Sequence, residues 1–284
     1  KEGKVGIVGK AGKAGNVSIV EYLPYLPYLP YLPLRVLIFG GRGFIASHVR
    51  SVYPDAVLPE TDICDATAVV QLLEKERPDI VINAAGKTGK PNVDWCEDHK
   101  LETIMSNVAG PLVLLKACAD LGIYWVHIGS GCIYEGSNGG RGFTEDDPPN
   151  FSGSFYARSK RWSDQMLKEF PACPDATGGV LQLRLRMPFD GSNHPRSLIS
   201  KLRKYSLILD EQNSLTYIPD FLKALELLVG KRATGIYNIV SPGTISPYQI
   251  MQRYKALVDP GHVFQRLTVD HLGSVVKAGR SNCV

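Results

Sequence analysis

The stretch that decides the fold is Arg35 to Val52, RVLIFGGRGFIASHVRSV. Arg35 to Phe39 form a short apolar run, as a buried strand does. The run passes directly into Gly40-Gly41-Arg42-Gly43-Phe44-Ile45-Ala46, and Ser47 to Val52 can be helical. Pro54 then stops that helix, because the residue before a proline is pushed away from helical angles. Strand, glycine turn and helix in succession form the context in which a glycine loop binds a dinucleotide. The glycines let the backbone approach a pyrophosphate, and the helix start supplies free N–H donors. The spacing is G-x-x-G-x-x-A, with Ala46 as the third small residue and Arg42 as a cation in the loop.

Outward from this unit, strands and helices alternate as far as Leu185. Ala56 to Leu58 can be a brief strand, and Thr61 to Asp65 lead into a helix through about Glu76. Asp62 is a candidate for a hydrogen bond to the adenine end of a dinucleotide, with helix capping as its alternative. Pro78 to Asn83 read as a buried parallel strand ending in the small residues Ala84-Ala85-Gly86. Ligands of open α/β sheets collect at that edge. A polar helix is predicted from Asn92 through Asn107 and another over Leu112 to Leu121, with Gly122 as its cap. Tyr124 to Ile128 and Leu181 to Leu185 are further strands. The pattern predicts an α/β fold, a Rossmann-type doubly wound parallel sheet over 34–185. Residues 186–284 read mainly as a smaller cap, with a basic helix over Arg196 to Tyr205, a helix over Asp220 to Val229 and a strand over Gly235 to Val240.

Reactive groups concentrate between Gly129 and Lys160. Ser130 and Cys132 are two apart, so on an extended segment they share a face. Tyr156 and Lys160 are four apart, so on a helix a phenol lies beside an ammonium. Further along that helix Trp162, Met166 and Phe170 recur every four residues and read as core packing.

Composition narrows the alternatives. The chain has 284 residues, 44% hydrophobic and 21% charged, enough for one large domain or two modest ones. A formal charge of +4 is too small to argue for nucleic acid and suits an anionic small molecule. The six cysteines have no CxxC or metal-type spacing, so reduced thiols and no metal are expected. No run of about 18 apolar residues is seen, so no membrane span is expected. Residues 1–33 read as an extension of little fixed order. KVGIVGKAGKAG mimics a strand and glycine loop without the second strand or ribose-reading acid that would give it meaning. The YLP repeat that follows suits a semi-rigid polyproline II linker. The first residue is not Met, so a missing true N-terminus is expected.

The glycine loop, NAAG at 83–86, Asn107, Ser130 and Tyr156-x-x-x-Lys160 resemble the extended short-chain dehydrogenases/reductases. GKTGKPNVDWCEDHKLETI, GSGCIYEG, PNFSGSFYARSK, LRLRMP and HPRSLISK resemble one branch of them. That branch is the bifunctional nucleotide-rhamnose synthases/epimerase-reductases of plants and some large viruses. The resemblance spans roughly 35 to 282 and extends more distantly to bacterial dTDP-4-dehydrorhamnose reductases. It implies conversion of UDP-4-keto-6-deoxy-D-glucose to UDP-L-rhamnose, by inversion at C3 and C5 and then reduction at C4. NADPH is the implied cofactor, with NADH left open, and Arg42 is the nearest cation for a 2′-phosphate.

Residue by residue, the resemblance puts Cys132 and Lys201 in the epimerase acid/base roles. Tyr156 would donate a proton to O4, Lys160 would assist it and hold the nicotinamide ribose, and Ser130 would bind the same oxygen. Cofactor contacts are implied for Gly40, Arg42, Gly43, Phe44, Ile45, Asp62, Ile63, Ala84, Ala85, Gly86, Asn107, Tyr156, Lys160 and Met187. Substrate contacts are implied for Lys87, Asn92, Trp95, Asn150 and Arg196. A cytoplasmic enzyme acting on a nucleotide sugar, possible as a homodimer, is the expectation. A reductase without epimerase activity and a non-catalytic NADP-binding subunit are the alternatives. That family continues past Asn282 into a last helix, so exposed apolar surface near the C-terminus is also expected.

Overall fold

The structure, a computed structural model, describes residues 6–8, 34–170 and 178–284. The expectations for the first glycine pattern beyond Val8, for the YLP repeat and for Cys173 lie outside the described residues. Strands β1 (Gly6–Val8), β2 (Val36–Phe39), β3 (Ile80–Asn83), β4 (Tyr124–Ser130), β5 (Val180–Leu185) and β7 (Gly235–Val240) make one sheet, ordered β1-β7-β5-β4-β3-β2. All pairs are parallel except β1 with β7. Gly6–Val8 therefore adds an antiparallel edge strand ahead of Leu34, where order was expected to begin.

Strands β2 to β5 are buried along almost their whole length, which explains their unbroken apolar runs. Helices α1 (Phe44–Val52) and α8 (Ile218–Gly230) cover one face through Val49, Phe221 and Leu225. The other face is covered by α2 (Ala66–Glu76), α5 (Gly110–Asp120) and α6 (Phe155–Lys168) through Leu73, Leu114 and Leu167. Between β2 and α2 the chain returns at Val57, whose single parallel bridge to Leu37 stands for the predicted brief strand. It then crosses to the other side of β2 to form β3. Strand order thus reverses at β2, and the crevice at its carboxyl end opens beside Gly40.

The predicted helices at 92–107 and 112–121 are parts of one longer run. It comprises α3 (Trp95–Asp98), α4 (Lys100–Ile104), a π-helical turn (Met105–Ala109) and α5. Lys100–Asp120 is long and apolar enough to cross a membrane by length and composition. Its buried residues pack on the sheet through Leu114, Ala117 and Cys118, and that packing accounts for its apolar character.

Beyond β5 lies a smaller cluster of Leu198, Leu202, Ile208, Leu215 and Met251. It is built from α7 (Leu198–Leu202), the parallel pair β6 (Leu207–Leu209) and β8 (Gln265–Leu267), and α9 (Pro247–Leu257). A capping box between Ser246 and Gln249 starts α9. The basic helix expected over 196–205 is shorter, only α7. The short α10 (Val269–Leu272) follows β8. From Lys277 onward the chain is stitched back onto both parts: Gly279 N donates to Gly153 O at 2.7 Å, and Ser214 N to Cys283 O at 2.9 Å.

Candidate active site

Gly40 has φ +80°, and a Cβ there would lie 2.6 Å from Ala85 N. Only glycine lets β2 end this close to the Ala84-Ala85-Gly86 segment. Gly43 closes the turn with its N–H on Gly40 O at 2.8 Å and precedes α1 without any side-chain cap. The first amides of α1 therefore face the crevice as donors, and a pyrophosphate fits such a cradle. Phe44 places its buried ring between His48 and His194, with centroids 4.8 Å from each, so its ring packs rather than lining the cradle. Ile45 is half-buried beside it. Ile63 is buried against Gly110, where a Cβ would come within 2.4 Å of Ile63 Cδ1, so only its backbone is left for a ligand.

Asp62 is not the cap of α2. Its carboxylate accepts from Cys64 N at 2.9 Å in a local turn, and Asp65 caps the helix by accepting from Ala68 N at 3.0 Å. Arg42 is exposed and pairs with Glu60 at 3.6 Å. Glu60 follows the Val57 bridge about 20 residues after the glycine loop, the offset at which an acid reads a ribose hydroxyl. The sequence reading passed over it, although its distance from the loop was the available signal.

Asn107 lies buried in the π-helical turn. Its Oδ1 accepts from Lys87 N at 2.8 Å, and its Nδ2 donates to Lys87 O at 2.9 Å and Ser159 Oγ at 3.0 Å. It thereby fixes the chain after Gly86 to α6. That helix is capped by Ser154, whose side chain accepts from Ala157 N, and by Glu97, which accepts from Phe155 N at 2.5 Å. Trp162 and Phe170, read as core, are each 43% exposed. Instead α6 buries Ser159, Lys160, Ser163 and Asp164 against the sheet. Asp164 receives Arg184 Nε and Nη2, each at 2.7 Å, and also Gln182 Nε2. A polar layer underlies the site, so Trp162 and Phe170 are left toward solvent, while Met166 of the same row packs on the core as expected.

Tyr156, Ser130, Cys132 and Lys160 meet at the carboxyl ends of β4 and β5. Burial pushes the Tyr156 phenol up, Cys132 adds to that, and a hydrogen bond from Ser130 and the charge of Arg186 oppose it. Burial pushes the Lys160 ammonium down to about 8, against the pull of Asp164 and Cys132. His127, wholly buried beneath them and 3.2 Å from Asn83 Nδ2, is held neutral by burial and by Lys160. From the cap, α7 brings Lys201, whose ammonium is lowered by burial and by Arg196 and raised by Cys132. Residues from both parts of the fold thus act on one sulfur. Such a set can polarise a carbonyl with a phenol and exchange a proton on the adjacent carbon.

The remaining candidates are spread along the rim. Arg196 Nη1 donates to Thr88 Oγ1 at 3.3 Å, and Asn92 Nδ2 to Tyr205 OH at 3.4 Å, so both bridge the cleft. Lys87 Nζ lies 5.6 Å from the Trp95 ring, which stacks on His99. Asn150 stands apart: its amide is taken up by Glu135 N and O, at 2.8 and 2.9 Å. Met187 sits just past β5 at φ +40°, packed on the cap cluster. Arg186, not singled out from sequence, is fully buried and donates from Nη1 to Cys132 Sγ at 2.8 Å. No group of three metal-ligating side chains occurs among the described residues. A cavity of about 890 Å3 lined by Arg77, Tyr124 and Arg232 opens at the opposite, amino-terminal edge of the sheet, away from these groups.

Residues 36–181 match the model of the NAD dependent epimerase/dehydratase family. The chain belongs to that family. It is 38% identical over 224 residues to a bifunctional dTDP-4-dehydrorhamnose 3,5-epimerase/dTDP-4-dehydrorhamnose reductase of Arabidopsis thaliana, covering 77% of this chain and 72% of that one. It is also 38% identical to a trifunctional UDP-glucose 4,6-dehydratase/UDP-4-keto-6-deoxy-D-glucose 3,5-epimerase/UDP-4-keto-L-rhamnose-reductase of the same plant, but spans 32% of that protein's length. The crystal structure of the L780 UDP-rhamnose synthase from Acanthamoeba polyphaga mimivirus superposes with a TM-score of 0.81 at 30% identity, covering 88% of this chain and 90% of that one. As a member of the NAD dependent epimerase/dehydratase family, the chain is an enzyme with a nicotinamide cofactor. The cradle at Gly40 and the uncapped start of α1 fit its diphosphate.

Proposed function

We propose that this enzyme converts UDP-4-keto-6-deoxy-D-glucose to UDP-L-rhamnose, epimerising C3 and C5 and then reducing C4 with NADPH. The observation that supports this reading is the place of Cys132. Its N–H donates to Ser130 Oγ at 3.1 Å and its sulfur accepts from Arg186 Nη1 at 2.8 Å, close enough for its charge to bear on Tyr156, Lys160 and Lys201. A reductase needs the phenol and the ammonium beside it; it has no use for a thiol and a second lysine from the cap. The names of the plant and viral relatives agree with that division of labour.

In the epimerase phase, one of Cys132 and Lys201 takes the proton from the carbon beside the ketone. The C–H electron pair becomes the enolate double bond, and charge moves to O4, where Ser130 and Tyr156 can donate to it. The other group returns a proton to the opposite face, and proton exchange restores the pair. In the reductive phase the bound nicotinamide supplies hydride to C4. Tyr156 then delivers its proton to O4, and Lys160, one helical turn away, stabilises the phenolate that remains. Asn92, Trp95, Lys87 and Arg196 would hold the nucleotide sugar across the cleft. We also take residues 34–185 as the cofactor-binding part and 186–284 as mainly the cap, with α8 and β7 returning to the main sheet.

The test supplies UDP-4-keto-6-deoxy-D-glucose and NADPH in heavy water and reads the product by NMR. Rhamnose carrying deuterium at C3 and C5 supports both phases. Reduction without deuterium at those carbons would leave a reductase alone, and NADPH binding without turnover would leave a binding subunit.

A further inference from the structure

Arg186 is a buried cation that has no carboxylate among its hydrogen-bond partners in the described residues. It is 2% exposed, and a guanidinium keeps its proton in any protein interior. Besides Cys132 Sγ, its side chain donates to Asn213 Oδ1 and to the carbonyl of Ser281, 2.5 Å away. The amide and the carbonyl carry no formal charge. Two thiols near it can carry a full negative charge, Cys132 and Cys283. Burial pushes the Cys283 thiol up, which leaves the Cys132 sulfur to match the cation, and a buried charge is tolerated when it is matched.

The position of this guanidinium is fixed from several directions. Its backbone exchanges hydrogen bonds with Thr216, N to Oγ1 at 2.8 Å and O from Thr216 N at 2.6 Å. Gly131, between Ser130 and Cys132, donates to Leu185 O at 2.9 Å, which keeps β4 and β5 paired up to the site. Met187, at φ +40°, turns the chain immediately afterwards, a conformation held by its surroundings. Asn213 is itself tied to Asn282 Oδ1 and Cys283 N. The cap and the C-terminal strand of chain therefore both grip Arg186 and aim it at Cys132.

We propose that Arg186 is a positioning residue of the epimerase phase, holding the Cys132 sulfur as a thiolate aimed into the cleft. This assignment rests on the epimerase/reductase reading above and gives its two groups an order. The thiolate takes the proton from the carbon beside the ketone, forming S–H while the C–H pair becomes the enolate. The Lys201 ammonium gives a proton to the opposite face, so the carbonyl re-forms and the lysine is left as the amine. Proton transfer from the thiol to that amine through water restores thiolate and ammonium, with no co-reactant. Arg186 reaches the reduction only through its charge on the Tyr156 phenol, whereas it donates a hydrogen bond directly to the Cys132 sulfur, so its loss weighs more on the epimerase phase.

The test compares wild type with Arg186→Lys, Arg186→Met and Asn213→Asp. Iodoacetamide labelling of the Cys132 peptide is measured by mass spectrometry against Cys64 in the same sample. Arg186→Met should slow Cys132 labelling about tenfold or more while leaving Cys64 as it was, and Arg186→Lys should restore part of it. Asn213→Asp keeps the side-chain size but offers the guanidinium its own carboxylate, so it too should slow Cys132 labelling. Deuterium wash-in at C3 and C5 should fall in parallel, about tenfold more than reduction of the pre-epimerised 4-keto sugar. If Arg186→Met does not fold, Asn213→Asp decides. Unchanged Cys132 labelling in the folded variants overturns the proposal. Labelling that depends on Arg186 in an enzyme showing no wash-in keeps the ion pair and removes the epimerase reading instead.

Discussion

Asn107 Nδ2 donates to Ser159 Oγ at 3.0 Å, joining a π-helical turn on one helix to the residue beside Lys160 on another. The same side chain clamps the backbone of Lys87 in both directions. A π turn bulges the backbone by one residue, and such turns recur at functional sites. Here the bulge carries a buried amide that spans two segments of the cleft.

Asn107→Ala should therefore weaken the fold and the reductase phase together. It removes the partner of Lys87 N and of Lys87 O, while the Ser159 hydroxyl keeps its bond to Tyr156 O; a buried unsatisfied group costs about 1–3 kcal/mol. Thermal melting should drop, and turnover at saturating NADPH should fall more than cofactor affinity does. Full turnover in a destabilised variant would mean that Asn107 only supports the fold.

Lys160 gives a signed pH dependence. Its folded value, about 8, lies below the ordinary 10.5, so the folded state favours the neutral amine. The unfolded chain then binds more protons between those values, and stability contributed by this group rises with pH across the window and is lost as pH falls through about 8. The gap corresponds to about 3 kcal/mol at most. Lys160→Met should be more stable than wild type at pH 7, with the difference shrinking toward pH 10.5 in chemical denaturation. Reduction, which uses the ammonium, should decline above about pH 8. Asp164→Asn should move that decline to lower pH, because it removes a carboxylate that favours the charged lysine.

The Asp164–Arg184 pair is buried and bidentate, with both groups at most 3% exposed. Arg184→Met should cost about 3–5 kcal/mol by leaving Asp164 unmatched. The double change Asp164→Leu with Arg184→Met should recover much of that. A double-mutant cycle by urea unfolding measures it, and purely additive losses would show that the pair is not coupled.

Arg42 and Glu60 are exposed and face each other at 3.6 Å, and cofactor choice is expected to turn on them. A 2′-phosphate would meet the cation and be repelled by the acid. Arg42→Ala should weaken NADPH more than NADH, and Glu60→Gln should do the reverse, favouring NADPH. Titration by fluorescence with both cofactors checks this; equal losses for both leave Arg42 without that role.

Gly40→Ala tests the cradle. A Cβ would overlap Ala85 N at 2.6 Å, and left-handed backbone adds about 1–2 kcal/mol. Binding of NADPH should be lost before the fold is, and calorimetry with circular dichroism separates the two.

Local spacing alone carried the doubly wound sheet, the glycine cradle at Gly40 and the Tyr156–Lys160 pair. Strands and helices are written by nearest-neighbour sterics and by which residues tolerate burial, and those act over a few positions. The outward turn of Trp162 was hidden, because α6 packs through Lys160 and Asp164 onto partners from another strand. Which groups share a cavity was also beyond local pattern. Arg186 and Cys132 are 54 residues apart, and Asn213 and Ser281 reach Arg186 from 27 and 95 positions away. Only the tertiary structure brings them together, because a buried charge finds its match through space and leaves no periodicity along the chain.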